Sequence, residues 1–438
     1  MPRRDLASSR REFLKVSGAS VAAAAATHAA ARYVHAAGSD VLKVGLIGCG
    51  GRGTGAAGNA LRADPNTRLV AMADAFPDRL ESSLSALKKQ DELGKRVEVD
   101  ADRCFIGLGA HQQLIESDVD VVLLAEPPHF RPRSLKAAID AGKHVFCEKP
   151  VAVDAPGVRS VLETSEKAKE KGLNIVSGLC WRYHDAVREV MDRVHNGAIG
   201  DIRAIQVHYN TGPVSNRVRP PEATEMMYQV RNWYYFTWLS GDHNVEQHVH
   251  SLDKGLWTMH DKPPVRAWGM GGRQVRTDPK FGQIYDHHAV VYEYDDGTPI
   301  YSFTRQMLGC WNETTDILIG TKGRANVLKF TIEGENPWKC DPKEAKKINM
   351  YDREHEALFR AIRAGEPINN GTYMAYSTML GILGRMATYT GQRITWEDAI
   401  NSTEDLSPSG YEWDSTPPVL PDADGKYPVA MPGVTQFC

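Results

Sequence analysis

Glu246, His250, Asp253 and Trp257 recur at spacings of four, three and four. On a regular helix they share one face. A carboxylate and an imidazole one turn apart can share a hydrogen bond, which raises the imidazole's basicity and fixes its tautomer. An imidazole so oriented can take the hydroxyl proton of an alcohol that loses hydride. A lysine beside it would polarise the same oxygen as negative charge develops. Lys149, in the turn Glu148-Lys149-Pro150, is the candidate. A metal cluster of His243, Glu246, His248 and His250 is the alternative. His248 cannot join the others on a regular helix and no His-Glu-x-x-His spacing occurs, so no metal is expected. A charged surface helix is the bland reading of the same residues.

Those groups need elements to hold them. The apolar run Val41–Ile47 predicts a buried strand, followed by Gly48-Cys49-Gly50-Gly51-Arg52-Gly53 and a helical pattern. Gly48 permits the tight turn, Gly50 lets a pyrophosphate approach the backbone, and Gly53 lets the helix pack close to the strand. The helix N-terminus then offers N–H groups and a positive dipole end to the phosphates. A second strand ends at Asp74, 21 residues past Gly53, where a carboxylate would accept from a ribose 2′-hydroxyl and repel a 2′-phosphate. NAD is therefore expected over NADP, although Arg79 lies nearby. Val119–Ala125 is a further strand, Arg133–Gly142 a helix ending at glycine, and "KHVFCEKP" a short strand with its turn. Ligands in such sheets sit beyond the carboxyl ends of the strands. That rule gathers Asp74, His129 and Lys149 around one crevice.

After Val151 the pattern predicts a helix, a strand within "NIVSGLCWRYH", and several alternating β segments with turns at Asp296-Gly297 and Lys322-Gly323. Helices are expected near Asp185–His195, Asn244–Met259, Arg353–Ala364 and Thr372–Thr390, the second of these capped by Ser240-Gly241-Asp242. The aromatics Tyr228, Trp233, Tyr234, Tyr235 and Trp238 are either core or a platform for a sugar ring, with Arg231 and Asn232 binding hydroxyls. Tyr183, Arg231, Trp233 and Tyr234 are the candidate substrate contacts. The tail from Ser407, rich in Pro, Gly and Asp, is expected to wrap the surface.

The N-terminus reads as an address. "SRREFLKVSG" (Ser9–Gly18) fits the twin-arginine pattern, an Ala-rich stretch follows to Ala31, and Val34-His35-Ala36 is a small-residue cleavage site. The expected division is 1–36 signal peptide, 37–150 dinucleotide-binding domain, 151–406 substrate and oligomerisation domain, and 407–438 tail. Export in the folded state through the twin-arginine translocase to the periplasm is expected. No later stretch is long and apolar enough to span a membrane. The net charge of −3 is mixed along the chain, which leaves no footprint for nucleic acid. The seven cysteines are scattered, odd in number and without a Cys-x-x-Cys pair, so they form no disulfide framework.

Taken together, Gly48–Gly53, Pro127-Pro128-His129, Glu148-Lys149-Pro150 and Glu246-x-x-x-His250-x-x-Asp253 give a chain that resembles the Gfo/Idh/MocA oxidoreductases over about Val41 to Ile400. The resemblance implies an α/β fold: a Rossmann domain plus an α/β domain with a large, mostly antiparallel open sheet. That sheet's outer face implies a homodimer or homotetramer. It also implies that Lys149 and His250 are catalytic with Glu246. Cofactor contacts would come from Gly48, Gly50, Gly51, Arg52, Gly53, Asp74, Pro127, His129, Glu148 and Lys149. Two departures stand out: Glu246 replaces the family's usual Asp, and Glu126 stands where the strand often ends in Thr or Ser. The expected activity is oxidation of a CH–OH group of a sugar, sugar acid or polyol, with a tightly held cofactor because no soluble pool exists outside the cytoplasm. A redox-cycling glycosidase and a non-catalytic sugar-binding module are the alternatives.

Overall fold

Period-two alternation of apolar side chains builds the first sheet. In the computed structural model, which describes residues 40–345 and 347–437, the strands are β1 (Leu42–Ile47), β2 (Thr67–Asp74), β3 (Cys104–Ile106), β4 (Val121–Leu124), β5 (His144–Cys147) and β6 (Ile175–Ser177). The signal peptide expected at 1–36 lies outside the described residues. The order is β3-β2-β1-β4-β5-β6, and every pairing is parallel. Val44, Leu46, Val121 and Leu123 pack into one core cluster, while Ile47, Val122 and Leu124 pack into another. Burial on both faces explains why these strands read as continuous apolar runs. Strand order reverses between β1 and β4, which opens the crevice where ligands of such sheets sit.

The expected domain boundary at Pro150 falls inside this sheet's last crossover. The helix Ala155–Glu170 returns the chain to β6, the sixth strand, and "NIVSGLCWRYH" then ends in a short 3-10 turn, Cys180–Tyr183.

The second sheet has nine strands: β7 (Ile202–Thr211), β8 (Arg266–Gly272), β9 (His287–Glu293), β10 (Pro299–Gln306), β11 (Glu313–Gly320), β12 (Gly323–Asn326), β13 (Thr331–Gly334), β14 (Trp338–Lys339) and β15 (Ile394–Thr395). All pairings are antiparallel except β7 with β10. The β11–β12 turn is Thr321-Lys322, one residue before the expected position. Helices Val249–Thr258 and Gly371–Thr390 pack on one face of this sheet.

The helix expected over Asn244–Met259 is broken. It runs as His243–Glu246 and then Val249–Thr258. Between them the His248 N–H bonds the His243 carbonyl five residues back, while the buried His248 ring sits 2.7 Å from Ser302 Oγ on β10. This wide turn shifts the helical phase, so residues on its two sides no longer share the face that spacing assigned them.

One buried ion pair ties the two sheets. Arg182, on the turn after β6, donates to both oxygens of Asp253 at 2.9 and 3.1 Å, and Ser377 Oγ donates to Asp253 Oδ1. Asp261 holds the guanidinium's other edge. Removing one partner of a buried pair leaves an uncompensated charge. Asp253→Ala is therefore expected to lower unfolding stability by about 3 kcal/mol, read as a lower urea midpoint; an unchanged midpoint would show that Asp261 alone satisfies Arg182.

Candidate active site

The glycine turn after β1 is sterically determined. Gly48 has φ +90°, and a Cβ there would lie 2.4 Å from the backbone nitrogen of Glu126. A Cβ on Gly53 would lie 1.8 Å from the Gly48 carbonyl oxygen. At Gly50 and Gly51, by contrast, a Cβ would meet nothing within 4 Å. The protein thus packs against Gly48 and Gly53 but leaves open space at the start of the Gly51–Ala63 helix, where N–H groups lack intrahelical partners. Asp74 closes one side. Its Oδ2 accepts from the Cys49 N–H at 2.6 Å and its Oδ1 from the Phe76 N–H at 2.9 Å, leaving each oxygen a second lone pair. Burial raises its pKa against those two bonds.

Gly48, Gly50 to Gly53, Asp74, Arg79 and Pro127 line one cleft, and Arg217, Arg231 and Trp233 line it from the second domain. An open glycine cradle at a helix start, beside a carboxylate with free lone pairs, fits a dinucleotide's diphosphate and ribose. The fit rests on those backbone N–H groups and on Asp74.

Lys149 follows β5. Its ammonium donates to the Glu246 carbonyl at 2.7 Å and to Glu246 Oε1 at 3.0 Å. Two of its three N–H bonds are thereby used, and one remains for a ligand oxygen. Glu148, expected to touch cofactor, instead is buried and pairs with Arg52 Nε, while its Oε2 accepts from the Lys149 N–H. The Arg52 guanidinium also lies 3.7 Å from Glu354 Oε1 and 4.7 Å over the Tyr351 ring. Arg52 and Glu148 therefore form a brace between the glycine-turn helix, the Lys149 turn and the Met350–Ala364 helix. Arg52 lines the cleft as well. Glu354 is fully buried; burial and the neighbouring Glu148 raise its pKa well above the carboxylate range.

His250 is half-buried and its Nδ1 has no hydrogen-bond partner. Burial, then the Lys149 and Lys254 ammonium groups, push its pKa well below the usual imidazole value. It is a neutral base. The expected Glu246–His250 hydrogen bond does not form: the wide turn at His248 separates the two, and Glu246 turns to Lys149. Lys254, which the sequence reading passed over, donates to the His250 carbonyl at 2.7 Å and pairs with Asp316 Oδ2 at 3.1 Å in a fully buried site. Its position four residues past His250 was the available signal.

Other expected contacts fall elsewhere. His129 does not line the cleft; it is buried beside Trp238, with Nε2 3.0 Å from the Tyr411 hydroxyl of the tail, and burial pushes its pKa down to about 3. Tyr183 is core, its hydroxyl donating to Asn370. Asn232 is buried and bonds backbone groups of Arg217 and Lys280. Tyr228, Tyr234, Tyr235 and Trp238 are buried, and Tyr234 accepts from Gln306. Trp233 and Arg231 do line the cleft, and Arg231 grips Asp78 with both nitrogens, at 2.7 and 3.0 Å, over the Phe76 ring.

The four residues weighed as a metal cluster do not converge, since Glu246 turns to Lys149 and His248 to Ser302. Asp242, His243 and His288 do meet, with ligand-type atoms within 4.8 Å. Asp242 is the N-cap of the His243–Glu246 helix, as expected, through its backbone carbonyl; it has φ +78°, and its side chain accepts from the Tyr285 N–H and the Tyr389 hydroxyl. Burial opposes its charge, yet His288 and His243 hold its carboxyl well below the usual range. The trio is a buried hydrogen-bonding cluster around the Asp242 carboxylate, in which burial pushes His243 down to about 4.

The glycine geometry separates packing from ligand approach. Gly53→Ala should lower stability by about 3 kcal/mol, read by urea unfolding. Gly50→Ala should keep the wild-type midpoint and weaken dinucleotide binding about tenfold or more, read by titration. Equal effects of the two variants on both readouts would contradict this division.

Residues 42–176 match the family model described as the GFO_IDH_MocA oxidoreductase family, NAD-binding Rossmann fold. The dTDP-3,4-didehydro-2,6-dideoxy-alpha-D-glucose 3-reductase of Actinomadura kijaniata is 29% identical over 177 residues, 40% of this chain and 48% of that one. The chain spans about half the length of several curated relatives it matches. Among solved structures, scyllo-inositol dehydrogenase of Lactobacillus casei with NAD(H) and scyllo-inositol superposes with TM-score 0.61 at 20% identity, covering 82% of this chain and 100% of that one. The aldose-aldose oxidoreductase of Caulobacter crescentus superposes with TM-score 0.61 at 18% identity, covering 81% and 99%. The fold, parallel sheet and antiparallel sheet together, is that of these solved structures, and residues 42–176 match the NAD-binding Rossmann domain of the Gfo/Idh/MocA oxidoreductases.

Proposed function

We propose that this chain is an exported NAD-dependent oxidoreductase acting on a CH–OH group of a sugar, sugar acid or polyol, with its cofactor held tightly. The observation that carries the reading is the Lys149 ammonium, fixed by Glu246 with one N–H to spare, beside the neutral His250. When bound, the nicotinamide cofactor supplies the hydride acceptor and donor. Lys149 donates its third N–H to the alcohol oxygen and stabilises developing alkoxide charge. His250, uncharged, takes the hydroxyl proton. The Glu246 carboxylate balances the ammonium in a site that is largely shielded from water. Asp74 favours a ribose with both hydroxyls free, hence NAD.

Tight retention is supported by the cleft's second wall. Arg231 clamps Asp78 across the lining, and Trp233 and Arg217 line the side facing the glycine cradle. The twin-arginine pattern supplies the reason for retention. A cofactor loaded in the cytoplasm and kept through export must be regenerated on the protein, by oxidising one sugar and reducing another or by a redox-neutral rearrangement of one. The protein should therefore be purified after processing with no nucleotide added, then denatured. About one NAD(H) per chain is expected in the supernatant. NADP in its place would overturn the role given to Asp74, and a protein that neither carries nor binds NAD would overturn the reading.

A homo-oligomer is the expected assembly. On the second sheet Met270, Ala289 and Phe303 lie in register across β8, β9 and β10, as do Trp268, Val291 and Tyr301. Met270 is 72% exposed, and Trp268, Tyr301 and Phe303 are also exposed. An apolar face of this kind marks an interaction surface. Sedimentation should show a dimer or tetramer that Phe303→Glu converts to smaller species; a wild-type monomer would refute the assignment.

A further inference from the structure

Glu126 ends the β4 turn with a carboxyl group that the protein does not satisfy. The residue is 7% exposed, and among the described residues neither Oε1 nor Oε2 makes a hydrogen bond of good geometry, its own N–H and the Ser134 hydroxyl being the only donors near enough to favour its charge. A buried polar group left unpaired costs free energy unless something absent from the protein pairs with it. Glu126 lines the same cleft as the glycine cradle, and its backbone nitrogen abuts the Gly48 turn. The nearest cation does not neutralise it: the Arg131 guanidinium donates to the Pro150 carbonyl, and no Glu126–Arg131 ion pair forms among the described residues. The other groups facing it are the Ser134 hydroxyl on the Arg131–Asp140 helix, the Asp74 carboxylate on β2 and the Cys147 thiol on β5. Burial and Asp74 oppose a negative charge there, Arg131 and Ser134 favour it, and the Cys147 thiol, pushed up to about 12 by its own burial, is neutral.

We propose that Glu126 is a further cofactor-binding residue that acts as a neutral carboxylic acid, donating its O–H to an oxygen of the bound dinucleotide, so that NAD binding is linked to holding one proton. The assignment rests on the NAD reading of the cleft. Its chemistry follows from charge. A dinucleotide diphosphate carries negative charge into a cleft already holding the Asp74 carboxylate, so an ionised Glu126 would add repulsion and offer no donor. A protonated one offers a donor and no charge. Burial supports the neutral form, pushing the carboxyl up to about 7 even with Arg131 near. The sign follows. A bound dinucleotide that requires the protonated acid is held best below that value, and its grip loosens as pH rises through and above it.

The test reads affinity, not turnover. Protein carrying NADH is equilibrated against a dilution series of NADH at pH 6, 7, 8 and 9, and the bound nicotinamide fluorescence gives the dissociation constant. Above pH 7 the wild-type Kd is expected to rise by up to about tenfold per pH unit, the limit for one coupled proton. Glu126→Gln keeps a neutral donor of nearly the same shape, so its Kd should match the wild type at pH 6 and stay flat to pH 9. A wild-type Kd independent of pH overturns the Glu126 assignment while leaving the NAD reading intact. A pH-dependent Kd that persists in Glu126→Gln also overturns it and moves the proton to another group. A protein that binds no NADH at any pH overturns both readings, and is distinguishable from the first two outcomes at the loading step. Because the wild-type profile alone can refute the assignment, the test does not depend on the variant folding.

Discussion

The Lys149–Glu246 contact is the interaction on which the site depends. It joins the end of a parallel strand to a short helix of the other domain, through both the carboxylate and the backbone carbonyl of Glu246. A lysine side chain has many rotamers and loses about 2 kcal/mol of conformational freedom when fixed. Two acceptors from one residue fix it. Behind it, Arg52 pins Glu148, so the glycine cradle and the lysine turn are held by one guanidinium. The proposed cofactor and chemical sites are therefore not independent: Arg52, in the first turn of the Gly51–Ala63 helix, also braces the turn that carries the Lys149 ammonium.

Charge pairing organises what lies around this contact. Lys254 faces Asp316, Arg182 faces Asp253 and Asp261, and Arg52 faces Glu148 and Glu354. Each of these three cations has a carboxylate, as the cost of an isolated buried charge requires, whereas the buried Arg131 and Arg276 are held by backbone carbonyls and an amide. His250 has no such partner and sits between two ammonium groups. It is left uncharged by exclusion, which suits a proton acceptor. Glu126 and Glu354, like Asp74, Asp154 and Asp316, are carboxyls for which burial outweighs pairing.

The backbone of the first domain was legible because its signals are local. An apolar run, a glycine turn and an acid 21 residues on require no knowledge of distant contacts. In the second domain the helix Asp185–His195 matches residue for residue, and those expected at Arg353–Ala364 and Thr372–Thr390 begin earlier, at Met350 and Gly371. The side-chain pairings were less legible. Spacing placed Glu246 beside His250 because it assumed an unbroken helix, and the wide turn depends on the bond of His248 to Ser302, 54 residues away. His129 looked like a crevice residue from its place after β4. A tail residue, Tyr411, 282 positions later, takes it into the core. Arg52 and Glu148 carry the right motif, yet the second carboxylate facing Arg52, Glu354, lies on a helix whose existence the sequence announced but whose packing against the glycine turn it did not. What sequence could not supply was the second partner of each charge.

The central claim is that Glu246 acts through Lys149, and a double-mutant cycle on turnover tests it most directly. Lys149→Met, Glu246→Gln and the double variant would be compared with wild type by kcat/KM for an oxidised sugar, with NAD binding checked in each. If Glu246 serves to hold the ammonium, the loss in Glu246→Gln disappears once Lys149 is gone, and the double variant is no slower than Lys149→Met. Losses that multiply, with the double variant slower by the product of the two single effects, would contradict the account and give Glu246 a role of its own.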